Sequence, residues 1–364
     1  MPDENSLKRS PLHQDHVRLG GKLVPFSGWE MPVQYSGIID EHQAVRESCG
    51  VFDISHMGQF FVNGPEATAW LDRLLTNHVA RLEVGQAHYT FLLNENAGVI
   101  DDLILYRIGD QDFLLIVNAA KVEEDAAWME SQLVDGVSFA DRSEHHGAIA
   151  VQGPDSPKIY EEIFEGLGAP PLPPRNAVAM IPMALDRVFV CRTGYTGEDG
   201  FELVCPADAT TGWFQKTISA GAKPCGLGAR DSLRLEMGYP RNGSDLSPDH
   251  TPLEAGLGFA VKLDKGEFTG SEILAKQKAD GLATKLVGFE MLDKGPPPRP
   301  HYPIEIGAKV IGEIASGGVS PSLKKGIGMA YLPIEHSKPG TAIDIDIRGR
   351  KLKATIVKKP FYKK

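Results

Sequence analysis

The sequence predicts an α+β fold with an antiparallel β module at its C-terminal end, and three observations carry that prediction. Before Asp293, helical and strand patterns mix without the regular alternation of a βαβ sheet. From Asp293 the chain reads Asp-Lys-Gly-Pro-Pro-Pro-Arg-Pro-His-Tyr-Pro, and consecutive prolines fit neither a helix interior nor a central strand. Beyond that break come short alternating runs with turn residues between them. A chain of 364 residues exceeds one ordinary core and suits two or three domains. We divide it into 1–283, two intertwined α+β lobes, and 284–364, the β module.

The elements follow in order. Glu66–Asn77 reads as a helix opening after Gly64-Pro65. His88–Asn94 and Val99–Ile108 read as strands joined by a turn at Asn94–Gly98. Phe113–Val117 reads as a strand, with a helix over Ala120–Leu133 after it. Arg230 opens a helix that runs through Glu236. In the module, Thr341–Arg348 and Leu352–Val357 alternate with the period of two that a half-buried strand requires.

Composition excludes several function classes. Hydrophobic residues make 42% and charged residues 24% of the chain, a globular balance. A net charge of −10 argues against nucleic acid as the main ligand, because neutralising phosphates needs a basic surface. No run has signal-peptide or transmembrane character, so no membrane role is expected and the expected location is the bacterial cytoplasm; the mitochondrial matrix applies only if a transit peptide was removed. Cys49, Cys191, Cys205 and Cys225 form no C-x-x-C pair and read as reduced thiols. Lys351, Lys353, Lys358, Lys359, Lys363 and Lys364 crowd the tail, either as a solvated end or as a docking patch.

Chemistry concentrates in a few places. Asp101 and Asp102 are neighbours in an extended run, so they point to opposite faces and are no dyad. One caps or pairs locally; the other sits on a half-buried face, where a carboxylate is costly unless paired or used. Glu202 lies in the strand that follows Gly194, Gly197 and Gly200, a loop whose backbone can approach a ligand. Its carboxylate calls for donors, from a ligand or from an arginine. Arg230 and Arg234 lie one turn apart, either paired with Asp231 or Glu202 or forming a fork for a carboxylate ligand. Gly226-Leu227-Gly228 lacks the third glycine of a dinucleotide fingerprint, and neither a phosphate loop nor a nucleophile elbow occurs. His145-His146 and the His13–His16 pair lack metal-ligand partners at suitable spacing.

Read together, several stretches resemble the T-protein, or aminomethyltransferase, family of the glycine cleavage system. They are Pro25–Tyr35, Glu41-His42 with Ala44-Val45-Arg46, Phe52–Gly58, Gly98–Leu103, Gly194–Glu202, Leu227–Glu236, Thr251–Asp264 and Ala315–Tyr331. They cover nearly the whole chain in order. The resemblance implies a three-lobed, folate-binding α+β fold around a central channel, with a C-terminal antiparallel β-barrel-like domain. It implies transfer of a one-carbon unit from the aminomethyl group of a lipoylated carrier, the H-protein, to tetrahydrofolate as co-substrate. The products are methylenetetrahydrofolate, ammonia and the dihydrolipoyl carrier, and neither metal nor nucleotide is needed. Carried over by position, Asp101 is the essential acid and Glu202 the pterin anchor, with Tyr195 and Asn118 in the same pocket. Arg230 is a folate-contacting arginine, and Met57, Arg299 and Tyr362 are lesser contacts. The carrier is acidic by the same resemblance. One departure stands out: relatives read leucine-tyrosine-glycine after the Arg230 helix, where this chain has Pro240-Arg241-Asn242-Gly243. Flavin-linked oxidising enzymes that share the fold need a nucleotide fingerprint, which is absent here. A stand-alone demethylase, or a folate-binding module without catalysis, are the rival readings.

Overall fold

The structure is a computed structural model that describes residues 7–183, 187–307 and 309–364. It resolves into two compact units. One comprises the chain up to Thr90 together with Asp102–Arg230; the other comprises Phe91–Asp101 together with Asp231–Lys364.

The first unit is built on a six-stranded sheet with strand order Val178–Pro182, Arg187–Cys191, Gly200–Pro206, His146–Gln152, Gly50–Asp53, Lys223–Cys225. All neighbours are antiparallel except the last pair. His146–Gln152 is buried along its whole length, as a central strand covered on both faces must be. Helices Ser156–Ile163 and Thr210–Ser219 supply Ile159, Tyr160, Ile163, Trp213 and Phe214 to the core that holds Ile149, Val151, Phe201 and Leu203. Gly147 allows one of these approaches: a Cβ there would stand 2.2 Å from Thr210 Oγ1. A second sheet runs in the order Ala87–Leu93, Val99–Gly109, Asp112–Val117, Gly58–Asn63, Ser138–Asp141. The turn Asn94–Gly98 joins its first two strands, with Asn94 Oδ1 accepting from the N–H groups of Asn96 and Gly98.

The second unit contains a closed barrel whose strands follow one another as Thr284–Met291, Lys325–Pro333, Lys309–Ser320, Pro303–Ile306, Ala342–Ile347 and Arg350–Val357. Alternation sets its interior. Ile343, Ile345 and Ile347 point in from one strand, Leu352, Ala354 and Ile356 from the next, and Phe289, Ile304, Ile314 and Leu332 complete the core. The proline break lies between the first two of these strands in chain order, and no regular element covers 292–302.

The expected helices are shorter or shifted. Glu66–Asn77 is helical only over Ala67–Leu74, because Thr76 and Asn77 turn to the neighbouring strand. Asn77 N–H donates to Thr90 Oγ1 at 3.0 Å and Asn77 Nδ2 to Tyr89 O at 2.9 Å. The helix expected over Ala120–Leu133 spans Val122–Ser131. The Arg230 helix begins earlier, at Leu227, because Glu41 fixes its start: Glu41 Oε2 accepts from Gly226 N–H at 2.8 Å. Among the described residues no helix is long and apolar enough to cross a membrane.

Candidate functional site

Glu202 stands in the middle of the strand Gly200–Pro206, between Ala150 and Cys191 on the flanking strands. Its Oε2 accepts from Thr193 Oγ1 at 2.6 Å, and Thr193 in turn shares a 2.6 Å hydrogen bond with the Tyr106 hydroxyl. Burial pushes the carboxyl's pKa above the usual range, against the pull of Thr193 and of the Arg230 charge. Arg230, on the first turn of Leu227–Glu236, lies over the Tyr195 ring with its guanidinium carbon 4.9 Å from the centroid. Desolvation lowers its pKa, while Glu202 and Tyr195 oppose that shift. Arg230 Nη1 is sealed from solvent and has no hydrogen-bond partner among the described residues. Three of the expected folate contacts therefore form one cluster.

The loop that presents Tyr195 is fixed from three sides. Gln152 donates to Thr193 O at 3.2 Å and accepts from Thr196 Oγ1 at 2.8 Å. Gly194 and Gly200 lie against that amide, where a Cβ would stand 2.1 and 2.4 Å from it. Arg46 Nη1 donates to Thr196 O and to Glu198 Oε1, both at 2.8 Å, inside the protein. Arg192 grips Asp199 through two 2.7 Å bonds. The quoted stretches contained Arg46 and Glu41, but local pattern gave no sign of what they hold.

A second group lies in the segment after the strand Gly50–Asp53. Asp53 accepts from Ser10 Oγ at 2.5 Å, His16 Nε2 at 2.8 Å and Ser55 N–H at 2.8 Å. Burial alone would raise its pKa, but these donors outweigh burial and hold it low. His56 is enclosed, and burial lowers its pKa to about 4, with Asp53 raising and Arg230 further lowering it. Its Nδ1 is buried without a partner among the described residues. Sequence reasoning placed Met57 at the site, where it is half-buried, and passed over His56 beside it.

The acid pair divides as the strand alternation requires. Asp101 is fully buried. Asp102 is half-buried and accepts from the Tyr89 hydroxyl at 2.8 Å and from Asn118 Nδ2 at 3.0 Å. Asn118 also donates to Asp102 O at 2.9 Å, so Asp102 sets the orientation of an expected folate contact. In the second unit, Tyr362 is half-buried, its N–H on Glu236 O at 3.1 Å, while Arg299 is exposed at the end of the proline break. Arg234 does not join Arg230 as a fork. It is spent on Asp231, on Asp245 at 2.8 Å, on Tyr239 O at 3.1 Å and on Ser316 at 3.0 Å. The departing segment is anchored: Arg241 N–H donates to Asp245 at 2.9 Å, and Asn242 Nδ2 donates to Ile100 O at 3.2 Å, one residue before Asp101. Lys359 leaves the expected docking patch, because burial lowers its pKa to about 8 and its Nζ lies 3.7 Å from Met329 Sδ. All four cysteines are free and buried, and burial pushes Cys49 up to about 12 and Cys205 to about 11. Among the described residues no group of His, Cys, Asp or Glu is arranged to hold a metal ion.

A half-buried carboxylate electrostatically coupled to an arginine with one sealed, unpartnered nitrogen suits a ligand that brings adjacent donors and an acceptor. The chain resembles known proteins over nearly its whole length. Residues 12–265 match the family model described as the GCVT N-terminal domain, and residues 284–363 match the glycine cleavage T-protein C-terminal barrel domain. An aminomethyltransferase of Symbiobacterium thermophilum is 44% identical, with 98% of each chain covered. One from Halalkalibacterium halodurans is 45% identical over 98% of this chain and 99% of its own. Among solved structures, the glycine cleavage system aminomethyltransferase T of Bartonella henselae superposes with a TM-score of 0.91 at 33% identity, covering 98% of both chains.

Proposed function

The chain belongs to the glycine cleavage T-protein family and is an aminomethyltransferase, and from that premise we propose that Glu202, Arg230 and Tyr195 anchor the pterin of tetrahydrofolate. The observation that carries the reading is the state of the pair. Glu202 Oε2 is taken by Thr193, and Arg230 Nη1 is sealed from solvent without a hydrogen-bond partner among the described residues. A reduced pterin presents an amino group and a ring N–H side by side, which a carboxylate accepts as a fork. Asn118, held by Asp102, and Met57 are further contacts on this reading.

The one-carbon donor is the aminomethyl group on a lipoylated carrier protein. Asp101 is the acid: its carboxylate orients the five- and ten-position nitrogens of folate, stabilises positive charge developing on the transferred carbon, and relays a proton towards ammonia or the lipoyl sulfur.

Binding and chemistry separate on two variants. Glu202→Gln loses the charge and places a donor where an acceptor is needed, so folate affinity falls about ten- to a hundred-fold. Asp101→Asn keeps folate affinity and loses about two to four orders of magnitude in single-turnover rate. Binding is read as thermal stabilisation, which at about 100 times the dissociation constant amounts to about 2.7 kcal/mol. An Asp101→Asn protein that loses folate as badly as Glu202→Gln does would make Asp101 an anchor rather than the acid. A wild-type protein with no thermal response to reduced folate would sink the reading as a whole.

A further inference from the structure

The departing segment Arg241-Asn242-Gly243 belongs to a loop that closes on itself. Arg241 O accepts from Asp245 N–H at 2.8 Å and from Leu246 N–H at 3.2 Å, and Gly243 N–H donates to Leu246 O at 2.9 Å. Gly243 holds a φ of +80°, a conformation that favours glycine. Asp245 ties the loop down. Its carboxylate is fully buried and accepts from Arg234 Nη1 at 2.8 Å, from Ser316 Oγ at 2.6 Å and from Arg241 N–H at 2.9 Å. The Tyr331 hydroxyl donates to Asp245 O at 2.8 Å, and His250 stacks on the Tyr331 ring with centroids 3.6 Å apart. Held at both ends in this way, the loop 241–250 is a preorganised support.

That support meets the three residues just ahead of Asp101. Gly98 lies so close to Pro248 O that a Cβ there would stand 1.7 Å from it. Val99 N–H is shared between Ser247 O at 3.1 Å and His250 O at 3.0 Å. Ile100 O accepts from Asn242 Nδ2 at 3.2 Å. Ile100 O and the Asp101 N–H lie in one rigid peptide plane, so a donor on that oxygen fixes the angle at which the chain enters Asp101. From Ile104 onward the strand pairs with Asp112–Val117; ahead of that ladder the loop supplies these bonds. The Ser247, Pro248 and His250 contacts use backbone atoms of the loop. The Asn242 contact uses a side chain, at the position where relatives carry tyrosine.

Resting on the assignment of Asp101 as the acid, we infer that Asn242 is a positioning residue for the one-carbon transfer, and that its amide sets the Ile100–Asp101 peptide and, through it, the carboxylate. A group that must orient reacting nitrogens and stabilise developing charge is sensitive to its placement, and a misplacement of about 1 Å costs about 100-fold in rate. Loss of the amide leaves the rest of the clamp in place, so the expected loss is smaller, about ten-fold.

The test is single-turnover transfer from the aminomethylated lipoyl carrier to tetrahydrofolate, with folate affinity and melting temperature measured on the same proteins. Asn242→Leu keeps the volume and removes the donor. Its rate is expected to fall about ten-fold, with folate affinity within about two-fold of wild type and the melting temperature unchanged. Asn242→Asp, which keeps the shape and loses the donor, should lose at least as much, and Asn242→Gln, which keeps an amide, should recover most of the rate. In an Asp101→Asn background, adding Asn242→Leu should cost less than about two-fold, because the group it positions is gone. The same ten-fold loss in both backgrounds overturns the inference, since Asn242 then acts independently of Asp101. Wild-type rates in Asn242→Leu and Asn242→Asp overturn it too, and so does a rate loss that tracks the melting temperature and is not recovered by Asn242→Gln. Failure of the underlying assignment looks different: an Asp101→Asn protein with the wild-type rate removes Asp101 as the acid, and this inference with it.

Discussion

At the scale of single residues, burial converts ordinary side chains into groups with fixed charge states, and this has a consequence for stability. His56 holds a folded pKa of about 4, because burial and the Arg230 charge outweigh the attraction of Asp53. An unfolded histidine titrates near 6.5. Between these values the unfolded chain binds a proton that the folded chain refuses, so stability rises with pH across this window and is lost as pH falls through it. By pH 5 the loss from this one residue is about 2 kcal/mol. Asp53 acts in the same direction at lower pH. Its folded pKa is held low by His16, Ser10 and Ser55 against burial, so its contribution is present above the unfolded carboxyl value and disappears on further acidification. Urea unfolding of wild type and His56→Gln at pH 7.5 and pH 5 checks this: the variant should lose about 2 kcal/mol less between the two. Parallel losses in both proteins would mean that His56 is not held neutral. Of the candidate site residues, those marked by type and place stood out in the sequence: a carboxylate in an apolar strand at Glu202, and an arginine near the start of a helix at Arg230. His56 was not, because a missing hydrogen bond has no sequence signature.

At the scale of elements, the loop Gly194–Glu202 depends on contacts far away in the chain. Arg46, on helix Ile38–Glu47, reaches Thr196 O and Glu198, and the Arg46 and Glu198 side chains are 5% and 3% exposed. Removing one member of a buried ion pair strands the other, at a cost of about 3–5 kcal/mol, whereas replacing both with apolar groups costs far less. Arg46→Met should therefore unfold at markedly lower denaturant, and Arg46→Met combined with Glu198→Met should recover most of the difference. Additive losses in the double variant would show that the two charges do not depend on each other. The elements themselves were well marked in sequence where alternation was strict, as in Val99–Gly109 and Ala342–Ile347. Their ends were less visible. The helix stops at Leu74 because Thr76 and Asn77 bond to Tyr89 and Thr90, and Leu227–Glu236 starts where Glu41 takes the Gly226 N–H. Such partners are distant in the chain, so a local pattern does not encode them. Arg234 illustrates the same limit: its spacing from Arg230 implied a shared role, and only the fold shows it consumed by Asp245 and Ser316.

At the scale of the whole molecule, a net charge of −10 opposes association with an acidic carrier, so docking on the proposed function requires a local positive surface. The tail was the sequence-based candidate, and the fold removes much of it. Lys359 is half-buried with its Nζ against Met329 Sδ, Lys351 pairs with Glu305, and Lys353 Nζ lies 2.7 Å from Asp344 Oδ1. Lys358 and Lys363 remain exposed. Opposite patches steer encounter, and salt screens them over a Debye length of about 10 Å at 0.1 M. If those two lysines steer the carrier, Lys358→Gln with Lys363→Gln lowers the carrier-dependent second-order rate several-fold at low salt. The same pair of substitutions flattens its salt dependence and leaves folate binding unchanged. Lys359→Gln serves as the contrast, because it changes the packing against Met329 and should alter the melting temperature rather than the salt slope. A double variant with wild-type rate and wild-type salt slope places the docking surface on another part of the protein.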